Sequence, residues 1–253
     1  DIKNNIKNIE SGVINTFKLE KNNELDLYFE HIQKLISPEK INSKIKFGVD
    51  GGNGAIGSIF NDLDNIYSFN CDQLYMEVDG NFPNHPADPS NLDNLQEIIK
   101  LVQDNNLDFG VAFDGDADRA VFIDDVGKVV SGSMMTTLIA DYLSEKNDNL
   151  KVVYNVNVSP HALSILKSKG VSLFRCKVGH SNIKALMKEL EADFGGEHSA
   201  HFYYKDNYFA DSAILTLLML MSIVSERGEK VSSMIDKYNF PPSSGEINFT
   251  VEN

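Results

Sequence analysis

The chain has 253 residues, 42% hydrophobic and 24% charged, values of a globular protein without disordered or collagen-like bias. Its 37 acidic against 23 basic residues give a net charge of −14, which argues against general binding of nucleic acid or anionic membrane but leaves room for an anionic small molecule held by a few local cations. Two cysteines are too few for a disulfide framework and fit a reducing cytoplasm, and the longest apolar run, 213–224, is 12 residues, short of a membrane span. No basic-then-apolar leader opens the chain, and its first residue, Asp1, suggests a processed protein or a piece of a longer one.

Residues 24–36 place Leu25, Phe29, Ile32 and Ile36 at helical spacing, stopped by Ser37-Pro38. Residues 45–49 read as a short buried strand running into the glycine-rich turn Asp50-Gly51-Gly52-Asn53-Gly54-Ala55-Ile56-Gly57, which leads into a short helix. A second strand is expected at 74–78, before the turn-rich Asp79-Gly80-Asn81-Phe82-Pro83-Asn84-His85-Pro86. Residues 92–102 carry an amphipathic helix pattern capped by Asn91, and 107–113 read as a strand.

A second alternating run follows the turn Asp125-Val126-Gly127-Lys128. Helices are expected at 133–145, 159–168 and 182–191, with strands at 151–156, 171–176 and 202–204. A long, strongly apolar helix at 211–226, a short helix at 231–238 and an alternating strand at 246–251 complete the pattern. The whole predicts two consecutive α/β domains with mostly parallel sheets flanked by helices: 1–130, 131–245, and a strand at 246–253 leading onward. No internal repeat is readable by spacing, although the halves share a layout.

The strand at 107–113 ends in Asp114-Gly115-Asp116-Ala117-Asp118-Arg119. Three carboxylates at alternate positions repel one another unless a cation sits between them, and hard oxygen ligands favour Mg2+ or Ca2+. An EF-hand shares the first three ligands, but Arg119 stands where that loop needs glycine, Asp125 where it needs a bidentate glutamate, and a strand rather than a helix precedes. An aspartyl-phosphate nucleophile and a solvated acidic turn are the other readings; we take Asp114, Asp116 and Asp118 as metal ligands. Gly52 to Gly57 fits G-x-G-x-x-G, with Glu77 or Asp79 in place of a ribose-binding acid, so a nicotinamide-dependent oxidoreductase is a rival. Tight strand-to-helix packing requires the same glycines without any ligand.

Glu197, Ser199 and His201 alternate, so in extended chain they share one face and suit neighbouring sugar hydroxyls. His180 follows Gly179 at a strand-to-helix junction where backbone N–H groups and an imidazole can face an anion, with Lys177 and Lys184 adding positive charge. His31 reads as structural or solvent-facing, and His85 receives no chemistry.

Taken together, Val49-Asp50-Gly51-Gly52-Asn53-Gly54, Asp79 to His85, Asp114 to Arg119, Val178-Gly179-His180-Ser181 and Gly196-Glu197-His198-Ser199-Ala200-His201 resemble the α-D-phosphohexomutase family, phosphomannomutase/phosphoglucomutase branch. The resemblance implies reversible phosphoryl transfer between the 1- and 6-positions of mannose or glucose phosphates, through an enzyme phosphoserine and a bisphosphosugar. It implies Mg2+ on Asp114, Asp116 and Asp118, Arg119 positioning the phosphoryl group or sugar, and Glu197 and Ser199 on sugar hydroxyls. His201 would be the general acid/base and His180 a ligand contact that shares proton transfer, beside Gly179 and Lys177; the glycine-rich turn is then structural. Asn157 stands where the family carries an active-site lysine, His198 where related branches carry methionine or glutamine, and Val178 where threonine is common. The chain corresponds to the family's second and third domains; it has no Ser-His-Asn-Pro-like segment, so its partners would include other domains of the same parent protein. By itself it is expected to lack turnover, and a non-catalytic Mg2+ or sugar-phosphate binding module is the alternative.

Overall fold

The computed structural model describes residues 24–242; the strand expected at 246–251 lies outside them. Helix α1 (Glu24–Leu35) buries Phe29 and Ile32, two residues of the expected stripe. Strand β1 (Lys46–Asp50) is buried from Phe47 onward and runs into the glycine-rich turn, a 3-10 turn (Ala55–Ser58) and helix α2 (Phe60–Tyr67).

Strand β2 occupies Asn70–Leu74, not 74–78. It pairs in parallel with β1 from Lys46↔Asn70 to Asp50↔Leu74, where β1 ends. Beyond it the chain serves the glycine turn instead of the sheet: Asn53 N donates to Tyr75 O (2.8 Å) and Asp79 N to Asn53 O (3.0 Å). Of the apolar alternation, Leu74 ends the strand and packs on the core, while Met76 and Val78 lie over that turn against Gly51 and Gly57. Asn91 caps the next segment through its side chain, a 3-10 turn (Leu92–Leu95) continuing into helix α3 (Gln96–Asn105).

Strand β3 (Phe109–Phe113) is wholly buried, as is β4 (Ala120–Asp124), which folds back antiparallel to it. Neither β4 nor the two-residue β5 (Val129–Val130) stands out in the sequence; between them Asp124 accepts the N–H groups of Val126 and Lys128 and closes a hairpin. The second half follows as helix α4 (Gly132–Ser144), β6 (Lys151–Asn155), α5 (Pro160–Ser168) and β7 (Ser172–Cys176). Then come helix α6 (His180–Leu190), β8 (Phe194–Gly196), β9 (Phe202–Tyr204), β10 (Ala210–Asp211), helix α7 (Ala213–Arg227) and helix α8 (Val231–Asp236).

Two five-stranded sheets result, ordered β2-β1-β3-β4-β5 and β10-β9-β8-β6-β7. In each, three parallel strands meet one antiparallel neighbour (β4 or β9), so four of five strands run the same way. The sheets share one hydrophobic core: Phe109 and Phe122 of the first belong to the same cluster as Phe194 of the second and Leu215 to Ile223 of α7. Helix α7 is buried on nearly every face and is capped by the Ser212 side chain at its start and left-handed Gly228 at its end. No helix among the described residues is long and apolar enough to cross a membrane.

Candidate active site at the meeting of two loops

The carboxylate loop leaves the C-terminal end of β3, where an open α/β sheet presents its ligands. Asp114 is only 2% exposed and acts as the loop's anchor. Its Oδ1 accepts the N–H groups of Asp118 and Arg119 (both 3.1 Å), and its Oδ2 accepts Arg119 Nε at 2.7 Å. Arg119 Nη1 also reaches Asp88 Oδ1 at 3.3 Å. Ala117 is held in the left-handed region at φ 61°, a strained conformation for a residue with a Cβ that aims the flanking side chains.

Asp114, Asp116 and Asp118 each present a carboxylate oxygen within 4.8 Å of the others. Burial, reinforced by the charges of Asp114 and Asp116, pushes the Asp118 carboxyl up to about 6. Three convergent carboxylates, one carrying that strain, are a donor set short of positive charge, which suits a hard divalent ion.

The glycine-rich turn supports this loop from behind. Ala55 N donates to Gly115 O (2.9 Å), and a Cβ on Gly54 would meet Gly115 O at 2.9 Å and Asp114 O at 3.0 Å. At Gly57 a Cβ would overlap Met76 O at 1.8 Å. Close packing therefore accounts for these glycines without a dinucleotide. Asp50 and His85, to which the sequence assigns no chemistry, brace the same turn: Asp50 accepts Gly52 N (2.8 Å) and lies 3.0 Å from His85 Nε2.

The second loop joins β8 to β9. It is a tight turn, not the extended chain that alternation suggested: Ala200 N donates to Glu197 O (3.2 Å), Glu197 N to His201 O (3.1 Å), and Ala200 has φ 68°. The turn still groups the three side chains, with His201 Nδ1 3.1 Å from Ser199 Oγ and 3.5 Å from Glu197 Oε2. Glu197, 3% exposed, accepts Asn155 Nδ2 (2.7 Å) and Tyr203 OH (2.8 Å). Burial and the Glu197 charge raise the Tyr203 phenol well above its ordinary range, so it is a donor.

The two loops touch. Arg119 and His201 form an isolated antiparallel bridge, Ala120 N donates to Ala200 O (3.3 Å), and His201 Nε2 lies 3.4 Å from Asp118 Oδ1. A cleft of about 510 Å³ opens beside this contact, walled by Ile56, Ile59, Tyr208, Asp118 and Asp211. His31 stacks on Tyr208 with ring centroids 5.1 Å apart and lies 3.1 Å from Asn207 Oδ1, a packing role.

Lys177, Gly179 and His180 stand apart from this cluster, at the end of β7. Gly179 has φ 117° and caps α6, while Lys177 and His180 are exposed. Among the described residues no ion pair or hydrogen bond joins either to the aspartates or to Glu197. The connection is indirect: Lys184, one turn along α6 from His180, pairs with Asp211 at 2.8 Å, and Asp211 lies within 4.8 Å of Asp118 and His201. Asp88, Asn155, Tyr203 and Asp211 belong to the site's surroundings and escape sequence reading. None sits in a motif; strand pairing such as Asp211↔Tyr203 brings in the last three, and Asp88 joins from a loop through its ion pair with Arg119.

These features define a paired α/β protein with a cluster of three carboxylates set where the loops of its two sheets meet. The sequence matches the phosphoglucomutase/phosphomannomutase family twice, as its alpha/beta/alpha domain II over residues 26–127 and its alpha/beta/alpha domain III over 131–239. It is 35% identical over 207 residues to a phosphomannomutase of Methanocaldococcus jannaschii, covering 82% of this chain and 46% of that one. The structure of a phosphoglucomutase/phosphomannomutase family protein from Burkholderia thailandensis superposes with a TM-score of 0.79 at 30% identity, over 85% of this chain and 46% of that one. The fold also matches, at TM-score 0.64 and 14% identity over 83% of this chain and 52% of that one, an Aspergillus fumigatus N-acetylphosphoglucosamine mutase solved in complex with GlcNAc-6P and magnesium. The chain belongs to the phosphoglucomutase/phosphomannomutase family, in the α-D-phosphohexomutase group. It spans about half the length of the curated relatives it matches, from 46% to 50%.

Proposed function

We propose that these residues form the metal-binding and sugar-binding half of a phosphohexomutase that interconverts hexose 1-phosphate and 6-phosphate, with mannose or glucose as the hexose. The observation that carries the reading is the contact between the two loops, Arg119 against His201 and His201 Nε2 3.4 Å from Asp118. A phosphoryl-transfer site needs its cation, its proton carrier and its sugar contacts within one small space.

Asp114, Asp116 and Asp118 would hold Mg2+, and their convergent oxygens fit a hard ion. When bound, that ion supplies electrostatic stabilisation to the phosphoryl oxygens. Arg119, fixed on Asp114 and Asp88, keeps its remaining N–H donors for the phosphoryl group or sugar. Glu197 and Ser199 accept from the sugar hydroxyls. His201 takes the proton from the hydroxyl that receives the phosphoryl group and returns it in the reverse direction. His180, with Lys177 and the backbone at Gly179, contacts the substrate from the end of β7. The phosphoryl carrier in this reading is a serine outside these 253 residues, transferring to the sugar to give a bisphosphosugar and recovering the other phosphoryl group.

The test is a coupled assay with glucose 1-phosphate and mannose 1-phosphate in Mg2+. Parent protein containing this chain and a phosphoserine segment should turn over and lose that activity in Asp116→Asn, while the 253-residue chain alone should be inactive. Turnover by the chain alone would overturn the placement of the serine. No hexose-phosphate conversion by the parent would overturn the function.

A further inference from the structure

We infer that Tyr203 and Asn155 are positioning residues that fix the Glu197 carboxylate for its sugar contact, so that hexose recognition depends on two buried side chains that do not touch the hexose. The inference rests on the proposed sugar role of Glu197. Glu197 lies just beyond the end of β8, and in the sheet β8 is flanked by β9 on one side and β6 on the other. Each flanking strand contributes one donor. Tyr203 of β9 gives its O–H to Oε2 (2.8 Å), and Asn155, the last residue of β6, gives Nδ2 to Oε1 (2.7 Å).

Both donors are buried. Asn155 is 1% exposed and Tyr203 fully buried, its ring in a cluster with Val153, Ile183 and Met187. The Asn155 amide is oriented by a second bond, because its Oδ1 accepts Asn157 N (3.1 Å) and so leaves Nδ2 to face Glu197. Tyr203 OH, with its proton held tightly, can only donate to a carboxylate. A carboxylate that is 3% exposed requires donors, and here each oxygen receives one hydrogen bond, with His201 Nδ1 a further 3.5 Å from Oε2. The carboxylate's orientation is therefore set by the two strands rather than by the rotamer freedom of a glutamate. The backbone of the turn closes below, where Glu197 N donates to His201 O (3.1 Å), and so holds the start of the side chain in place.

The experiment measures glucose 1-phosphate binding to the 253-residue chain in Mg2+ by NMR titration, alongside Mg2+ affinity and melting temperature. It uses Tyr203→Phe, Asn155→Ala, Glu197→Gln and the double variant Tyr203→Phe/Glu197→Gln. Loss of one charge-assisted bond should weaken glucose 1-phosphate about tenfold in Tyr203→Phe, with Mg2+ affinity unchanged. In the Glu197→Gln background Tyr203→Phe should add nothing, because its effect passes through that carboxylate. Asn155→Ala, acting on the opposite oxygen, should show the same selective loss and decides the matter if Tyr203→Phe fails to fold. Glucose 1-phosphate bound normally by both single variants but lost in Glu197→Gln would overturn the positioning role and leave the sugar role standing. An additive effect in the double variant would overturn it likewise, as mere packing. Unchanged binding in Glu197→Gln, or no binding by the parent chain, would overturn the sugar role itself and the inference with it.

Discussion

Replacing Gly54 with alanine tests whether the glycine-rich turn exists to hold the carboxylate loop. Gly54 has φ −90° and ψ −173°, extended backbone open to any residue, so the substitution carries no backbone penalty. Its cost comes from the space into which the methyl points. The new Cβ would lie 2.9 Å from Gly115 O, 3.0 Å from Asp114 O and 3.1 Å from Gly115 Cα. All three are backbone atoms of the aspartate loop, and none can rotate away. The loop must move by a few tenths of an ångström, stretching the 2.9 Å bond from Ala55 N to Gly115 O. Overpacking of this kind costs about 2 kcal/mol, within the usual range. In a domain of this size that lowers the melting temperature by roughly 4–8 °C. The same movement displaces Asp114 relative to Asp116 and Asp118, so Mg2+ affinity by calorimetry should fall about 3-fold to 10-fold, on the order of 1 kcal/mol. Gly80→Ala is the control, since no atom lies within 4 Å of its Cβ. A Gly54→Ala protein that melts and binds Mg2+ like the parent would refute the bracing role. A Gly54→Ala protein that loses binding of NAD while keeping Mg2+ would restore the dinucleotide reading.

The two ends of the aspartate loop should respond oppositely to neutralisation. Asp114→Asn strips the buried one of Arg119's charged partners and leaves Asp88, so it should destabilise by about 1–2 kcal/mol, read as a lower melting temperature with or without metal. Asp118→Asn removes a carboxylate already pushed up to about 6, so the metal-free protein should melt slightly higher, while stabilisation by Mg2+ and its reversal by EDTA disappear. That raised value also sets a pH dependence. The folded chain holds a proton that the unfolded chain has released between about pH 4 and 6, so this contribution to stability is complete below pH 4 and lost as pH rises through 6. Because Mg2+ must displace the same proton, its affinity should be flat above about pH 7 and fall towards tenfold per unit below 6; a pH-independent affinity would contradict the assignment of Asp118 as a ligand. At the other loop, a Cβ on Gly132 would strike Glu197 O at 2.3 Å and His198 O at 2.4 Å, so Gly132→Ala should melt lower and weaken hexose-phosphate binding more than Mg2+ binding.

What the sequence makes legible is what it keeps local. The three aspartates, the buried strand before them and the arginine after them lie within 107–119, so their chemistry shows without any knowledge of the fold. Strand β4 is as buried as β3, yet five residues between an acidic loop and an Asp-Val-Gly turn give no period long enough to register. Glu197, Ser199 and His201 are grouped by alternation as one face of an extended chain; the structure groups them through a turn, where the spacing acts by closing a loop. Asn155 is 42 residues from the carboxylate it holds; the resemblance draws attention to Asn157 two residues on, but nothing in the sequence marks Asn155 itself as more than the end of a strand. Residues that act by sequence-distant contact become visible only with the strand order.

That strand order also explains why the two loops meet. In both sheets the third strand from the parallel edge (β3 or β8) hands over to an antiparallel neighbour (β4 or β9) at its C-terminal end. The aspartate loop and the Glu197–His201 turn are thus the same connection in two copies of one layout, hidden in the sequence because the first holds six residues and the second five. Each is braced by a glycine contact, Gly54 against Gly115 and Gly132 against Glu197 and His198. Each ends at the shared bridge, where Ala120 N donates to Ala200 O and Arg119 faces His201. A link between two braced loops means that, in the proposed function, the carboxylates that would hold a cation and the groups that would contact a sugar keep one spacing, set by the packing of the sheets. The chemistry of either loop is then inseparable from the position of the other, although no residue is common to both.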